Sequence, residues 1–302
     1  GEPYGTLVLA VAVTVIEVAL IVSLMLSGGM AASGLARDTV FAAIMIILNG
    51  LVGLCLLVGG ARHLEQKFGQ AGVSAALATL AAMTVLTLVL PNYTTSTPGP
   101  VYSGSQLAFV GLVSLVLYGT FVLVQTVRHR DYFLPTGPKA HDEEAHAAPP
   151  TTLDAWISLG LLVLSLVTVV LLAKSLAPTI EQAVANAGAP KAVVGVIIAA
   201  LVLAPESLAA VRAARADRLQ TSLNLALGSA LASIGLTIPV VAVVSLVMDW
   251  PLSLGLDAKA MVLLMLTLIV TTLSLGTGRT TVLQGVVHLL IFAVYLFTTV
   301  VP

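Results

Sequence analysis

Residues Tyr4–Leu26 read YGTLVLAVAVTVIEVALIVSLML, and this stretch decides what kind of chain this is. It is long enough to cross a bilayer as a helix, which takes about 20 apolar residues, and it carries one carboxylate, Glu17, near its middle. A second stretch repeats the arrangement: KAVVGVIIAALVLAPESLAAV, Lys191–Val211, carries Glu206. Among the 14 acidic residues, these two are the ones that fall inside apolar spans. A charge at bilayer depth costs about 2.5–3.5 kcal/mol on the insertion scale, so something must offset that cost at both positions.

Composition agrees with a membrane chain. Of 302 residues, 58% are hydrophobic and 9% charged, with a mean hydropathy of +1.07, far too apolar for an ordinary soluble globule. The net charge of −1 and the lack of a basic, aromatic-interleaved run exclude a general nucleic-acid surface. The single cysteine, Cys55, cannot form an internal disulfide, so it says nothing about redox compartment. The chain starts at Gly1 with no basic n-region and no cleavage site before the first span. No signal peptide is expected, and a native amino-terminal segment is expected to precede Gly1.

Working outward from the two glutamate stretches, apolar runs long enough to span recur at residues 4–26, 39–61, 73–90, 106–127, 156–176, 191–211, 220–248, 258–276 and 281–301. The expectation is therefore an all-α polytopic membrane protein with about nine transmembrane helices. The Pro- and charge-rich segment Arg128–Asp154 divides it. This gives a first transmembrane repeat over 1–127, a mobile acidic and His-containing linker over 128–155, and a second repeat over 156–302. The short mixed segment Pro178–Pro190 reads as a surface helix or loop.

Alternating the loops places Arg62, Lys67, Arg128, Arg130, Lys139, Arg212, Arg215, Arg218 and Arg279 on one side, and Arg37, Lys174, Lys191 and Lys259 on the other. Short cytoplasmic loops are Lys/Arg-rich. The first set and the central linker are therefore expected in the cytoplasm, with the carboxy terminus on the opposite, outer side.

The glutamate spans are the first and the sixth, so they run in opposite directions. That is the arithmetic of an inverted-topology repeat, in which equivalent helices meet near the midplane and build the site. Each glutamate span is followed by a short basic link and then by a helix with small and polar residues: Asn49, Gly50 and Gly53 in one half, and Ser222, Asn224, Gly228, Ser229 and Ser233 in the other. Burial disfavours an ionised carboxylate and a bound cation favours it, so protons and cations compete for the same oxygens. Two glutamates holding one divalent cation when ionised, and releasing it when protonated, would couple cation movement to proton movement.

Candidate cation- and proton-binding residues are thus Glu17 and Glu206. Calcium prefers six to eight oxygens, more than two carboxylates supply. Thr14, one turn before Glu17, Asn49, Asn224, Ser229 and Ser233 are candidate accessory ligands. So is the Leu201 carbonyl, which Pro205 should release by kinking or breaking the helix just before Glu206. For the Asn and Ser residues the competing reading is that they stitch helices together. His288 reads as a neutral histidine bonded to a neighbouring helix. The HDEEAH run at His141–His146 reads as solvated linker, with a calcium or pH sensor as the sharper alternative. Arg212, Arg215 and Arg218 read as topology determinants and anionic-lipid contacts.

The chain resembles the bacterial ChaA-type calcium/proton antiporters, within the cation exchanger group. The stretches that carry this are GEPYGTL with TVIEV, LARDT with IMI, GLVG with LLVGG, LYGTFVLVQT, LAPESL, NLALGSALASIGLTIPVV, GTGRT and GVVHLLIFAVYL, in this order. The resemblance implies two inverted repeats around a cation site, Glu17 and Glu206 as the acidic residue of each, and further helices before Gly1. It implies calcium as leading cargo, sodium or potassium beside it, protons as the counter-ion, and no cofactor. One departure is plain: where many cation exchangers have Gly-Asn shortly before each glutamate, this chain has Val13-Thr14 and Val202-Leu203. Two rivals remain. A passive cation channel also lines its path with acidic side chains. A membrane enzyme would call for paired membrane aspartates, a Ser/His dyad or HExxH, none of which is in the sequence.

Overall fold

The computed structural model describes residues 4–29, 33–134, 152–190 and 192–301. It is built of long helices: α1 Tyr4–Gly28, α2 Leu35–His63, α3 Gln70–Tyr93, α4 Gly104–Arg128, α5 Thr152–Asn186, α6 Ala192–Arg215, α7 Leu219–Met248, α8 Ala258–Leu275 and α9 Val282–Val300. Helices dominate because a lipid-facing backbone must satisfy its own amide and carbonyl groups. Among the described residues, 7 helices, α2–α4 and α6–α9, are long and apolar enough to cross a membrane. The other two expected spans fall on α1 and α5, where shorter apolar runs, Val11–Leu26 and Trp156–Ser165, are described.

Helix α7 is the axis of the molecule. Helices α1, α2, α3, α4 and α6 all pack on it, and most of its residues are buried. Its sequence permits that crowding: a Cβ added at Gly235 would lie 2.6 Å from Tyr118 Cβ of α4, so α4 approaches closely only because Gly235 has none. A second close pair is α2 with α9. There a Cβ on Gly285 would fall 2.5 Å from the Leu57 amide nitrogen, and one on Gly53 would meet His288 Cβ at 2.8 Å. Helix α5 lies outermost, against α1 and α6. Its exposed Trp156, Leu161, Leu164, Leu171 and Leu172 are the side chains a lipid-facing helix carries.

Helix α2 is not uniform. Its turn Ile46–Leu51 is a π-helix, a local widening often found at functional sites, and Asn49 sits in it fully buried.

Both ends of the bundle are tied. At one end the loop before α8 bonds to the loop after α3 through Leu254 N–H and Gly255 N–H to the Pro100 carbonyl, and to the end of α3 through Leu256 N–H to the Leu88 carbonyl. Arg37 reaches the same loop at the Gly255 carbonyl, 3.3 Å, while pairing with Asp38 at 2.7 Å. At the other end a two-residue antiparallel ribbon pairs Gln66–Lys67 with Arg279–Thr280. Buried Gln66 donates through Nε2 to the Ala214 carbonyl and to Asp217 Oδ1, both at 3.0 Å.

Three local expectations are corrected. Helix α5 runs without interruption through Pro178 to Asn186, so much of the segment 178–190 is the end of a long helix and not a separate one. A single proline removes one amide donor and crowds one carbonyl, and the remaining bonds of a 35-residue helix survive that loss. For the same reason α6 continues through Pro205, and no break precedes Glu206. The start of the linker is packed: Phe133 is 2% exposed and meets Phe121 edge-on at 5.7 Å. The HDEEAH run lies outside the described residues.

Candidate cation and proton site

The two glutamates are buried, Glu17 3% and Glu206 2% exposed, and helix α7 holds both. Ser233 Oγ donates to Glu17 Oε2 at 2.6 Å. Ser229 Oγ donates to Glu206 Oε2 at 2.5 Å. Ser229 and Ser233 are four residues apart on one helix face, a spacing that puts their Cβ atoms about 5–6 Å apart. Carboxylates from α1 and α6 therefore arrive on neighbouring turns of a third helix. Ser233 stands at the midpoint of α7, a helix of 30 residues, which places the pair at mid-depth in the bundle.

Each carboxylate uses one oxygen for its serine. The other, Oε1 of Glu17 and Oε1 of Glu206, is buried and has no hydrogen-bond partner among the described residues. Neither glutamate takes part in an ion pair among the described residues. A buried carboxylate without a basic neighbour is uncompensated when ionised, so it needs either a proton or a cation on that oxygen. Among the described residues no group of three or more His, Cys, Asp and Glu converges. Any further oxygen ligands would be hydroxyls, backbone carbonyls or water, the hard neutral donors that group 1 and group 2 cations accept.

The other expected ligands fall into two sets. Thr14, 1% exposed, lies one turn from Glu17 on α1. Asn49 and Asn224 have their side chains engaged elsewhere. Asn49 Nδ2 donates to Thr267 Oγ1 at 2.8 Å, and its Oδ1 lies 3.3 Å from His288 Nδ1. Asn224 Nδ2 donates to the Phe133 carbonyl at 2.5 Å, and its Oδ1 accepts from Gln220 Nε2 at 2.9 Å. Asn49 thus ties α2 to α8 and α9, and Asn224 ties α7 to the segment after α4. Leu201 has its side chain 53% exposed, and its carbonyl belongs to the turn of α6 that precedes Glu206. Sequence reasoning missed Thr267 and Phe133 as the partners of the two asparagines. No spacing signal connects residues so far apart in the chain.

With this geometry in place, comparison with known proteins settles the class. The chain matches the sodium/calcium exchanger protein family over residues 1–127 and 157–301, and it belongs to that family of membrane cation transporters. It is 53% identical over 302 residues, all of this chain and 82% of the relative, to the putative ionic transporter y4hA of Sinorhizobium fredii. It is 36% identical over 300 residues, 99% of this chain and 81% of the relative, to the sodium-potassium/proton antiporter ChaA of Escherichia coli. Among solved structures, native YfkE superposes with a TM-score of 0.71 at 16% identity, over 98% of this chain and 90% of that one. The H+/Ca2+ exchanger CAX superposes at 0.70 and 18% identity, over 97% and 78%. At those identities the structures speak for the fold.

Proposed function

We propose that the protein is a secondary active cation/proton antiporter working by alternating access. Calcium is its leading substrate, sodium and potassium are further candidates, and Glu17 and Glu206 are the shared cation and proton site. The observation that carries this reading is the pair of buried carboxylates held on adjacent turns of α7, each with one bonded oxygen and, among the described residues, one unpartnered oxygen and no ion pair. An ionised pair accommodates a cation and a neutral pair holds protons, so loading one unloads the other. If only the fully loaded or fully protonated site crosses between faces, exchange is obligatory. With two protons per divalent ion, each pH unit sustains roughly a hundredfold cation gradient, since one pH unit is worth about 1.4 kcal/mol per proton. The sodium-potassium/proton antiport of the ChaA relative supports proton coupling. The excess of Arg and Lys in the loops at the Gln66 end supports placing that end in the cytoplasm, with cation export driven by incoming protons across a bacterial inner membrane.

The test is proton release from everted membrane vesicles with an imposed pH gradient, on adding calcium, sodium or potassium separately. Wild-type protein should release protons in response to its cation. Glu17→Gln and Glu206→Gln, folded by size-exclusion chromatography, should not. Cation flux that persists after the pH gradient is collapsed would instead identify a channel.

A further inference from the structure

The hydroxyls on α7 continue past the two serines that hold the glutamates. Thr237 follows Ser233 by four residues, on the same face and one turn nearer the Met248 end. It is 0% exposed, and among the described residues its Oγ1 has no hydrogen-bond partner. A buried hydroxyl left unpaired is costly, and a threonine inside a helix has a ready remedy, donation to the carbonyl one turn back. The other fully buried threonines use it: Thr84, Thr87, Thr267 and Thr271 donate to the carbonyls of Leu80, Met83, Leu263 and Thr267 at 2.5–2.7 Å. Thr237 does not.

We propose that Thr237 Oγ1 is a third station on the cation path, a neutral oxygen ligand between the Glu17–Ser233 pair and the end of α7 that leads to Asp249. The proposal rests on the glutamate site described above and extends it by one turn. Along α7 the order is Ser229 with Glu206, Ser233 with Glu17, then Thr237, at steps of about 6 Å from the rise of four helical residues. A hard group 1 or group 2 cation arriving from the Asp249 side exchanges one water of its shell for this hydroxyl before it meets a carboxylate. The hydroxyl can coordinate the cation through an oxygen lone pair and donate its proton to one of the cation's remaining waters, a donation that the carbonyl-bonded threonines cannot make with the proton already committed. By the orientation proposed above, this is the extracytoplasmic approach to the site.

The experiment compares wild type, Thr237→Val and Thr237→Ser in vesicles of both orientations, with Ca2+ offered in turn from each face and initial exchange rates measured. Valine keeps the volume and removes the hydroxyl, and serine restores it. Thr237→Val should raise the KM for Ca2+ offered from the extracytoplasmic face about 10-fold, the effect of losing one ligand oxygen to a charged partner. The KM from the other face should change less, and Thr237→Ser should recover most of the loss. The thermal shift that Ca2+ produces in detergent should shrink in Thr237→Val, while the melting temperature without Ca2+ stays equal or rises. Wild-type KM from both faces in Thr237→Val, or a serine variant no better than valine, overturns the proposal. Neither result touches the glutamate reading, which fails separately if Glu17→Gln still exchanges.

Discussion

Ser233 Oγ on α7 donates to Glu17 Oε2 on α1 at 2.6 Å, joining residues 216 positions apart. The contact links a carboxylate from the first half of the chain to a hydroxyl from the second, and the equivalent bond four residues earlier, from Ser229 to Glu206, lies within the second half. Helix α7 is thus common to both carboxylates. Any movement of α7 relative to α1 or α6 changes how the two groups face one another, which is the mechanical requirement for a site that opens to alternate sides.

Removing either serine hydroxyl should weaken cation binding without unfolding the protein. A hydrogen bond to a charged group contributes about 1.5–3 kcal/mol, so Ser233→Ala and Ser229→Ala should each raise the cation KM by about 10-fold or more. Thr at either position keeps a hydroxyl and should restore part of the affinity. Initial-rate exchange assays on purified protein in liposomes check this, and unchanged KM in both alanine variants would separate the serines from the site.

Proton and cation should compete openly. As pH falls, protons occupy the oxygens that the cation needs, so cation affinity must fall. If one divalent ion displaces two protons, the KM should rise by up to about 100-fold per pH unit on the acid side. The direction is the check: with pH equal on both sides of the membrane, isotope exchange should show KM decreasing as pH increases until proton occupancy is exhausted. A pH-independent KM would mean that protons and cations use different groups.

Asn49 and His288 should prove structural. Asn49→Ala removes the fully buried bond to Thr267 Oγ1 and the contact with His288 Nδ1. Losing such a buried hydrogen bond costs about 0.5–1.5 kcal/mol. The melting temperature should drop, while the cation KM of the surviving folded fraction stays within about twofold of wild type. A large KM change at unaltered stability would return Asn49 to the list of cation ligands.

The contact between α2 and α9 should tolerate no side chain. In Gly285→Ala the new Cβ would lie 2.5 Å from the Leu57 nitrogen and 2.9 Å from the Gly53 carbonyl oxygen, both backbone atoms that cannot rotate away. Overpacking of this kind costs about 1–3 kcal/mol. Yield of monodisperse protein in detergent should fall sharply. Gly160→Ala on α5 meets nothing within 4 Å and should behave as wild type.

What the sequence determined by itself was the class and the two acidic positions. Runs of about 20 apolar residues can only be helices in lipid, and Glu17 and Glu206 stand out because a carboxylate inside such a run is expensive. The spacing of Ser229 and Ser233 was likewise legible as one face of one helix. Tertiary structure decided which polar residues meet those carboxylates. Asn49 and Asn224 have the same chemistry and setting in the sequence as the serines, yet one bonds to Thr267 and His288 and the other to the Phe133 carbonyl. Local pattern places a side chain on a helix face, but its partner depends on how helices far apart in the chain pack. Here that packing is set by glycine contacts such as Gly235 against Tyr118. The orphaned hydroxyl of Thr237 was invisible for the same reason: only the packed bundle shows that no described residue bonds to it.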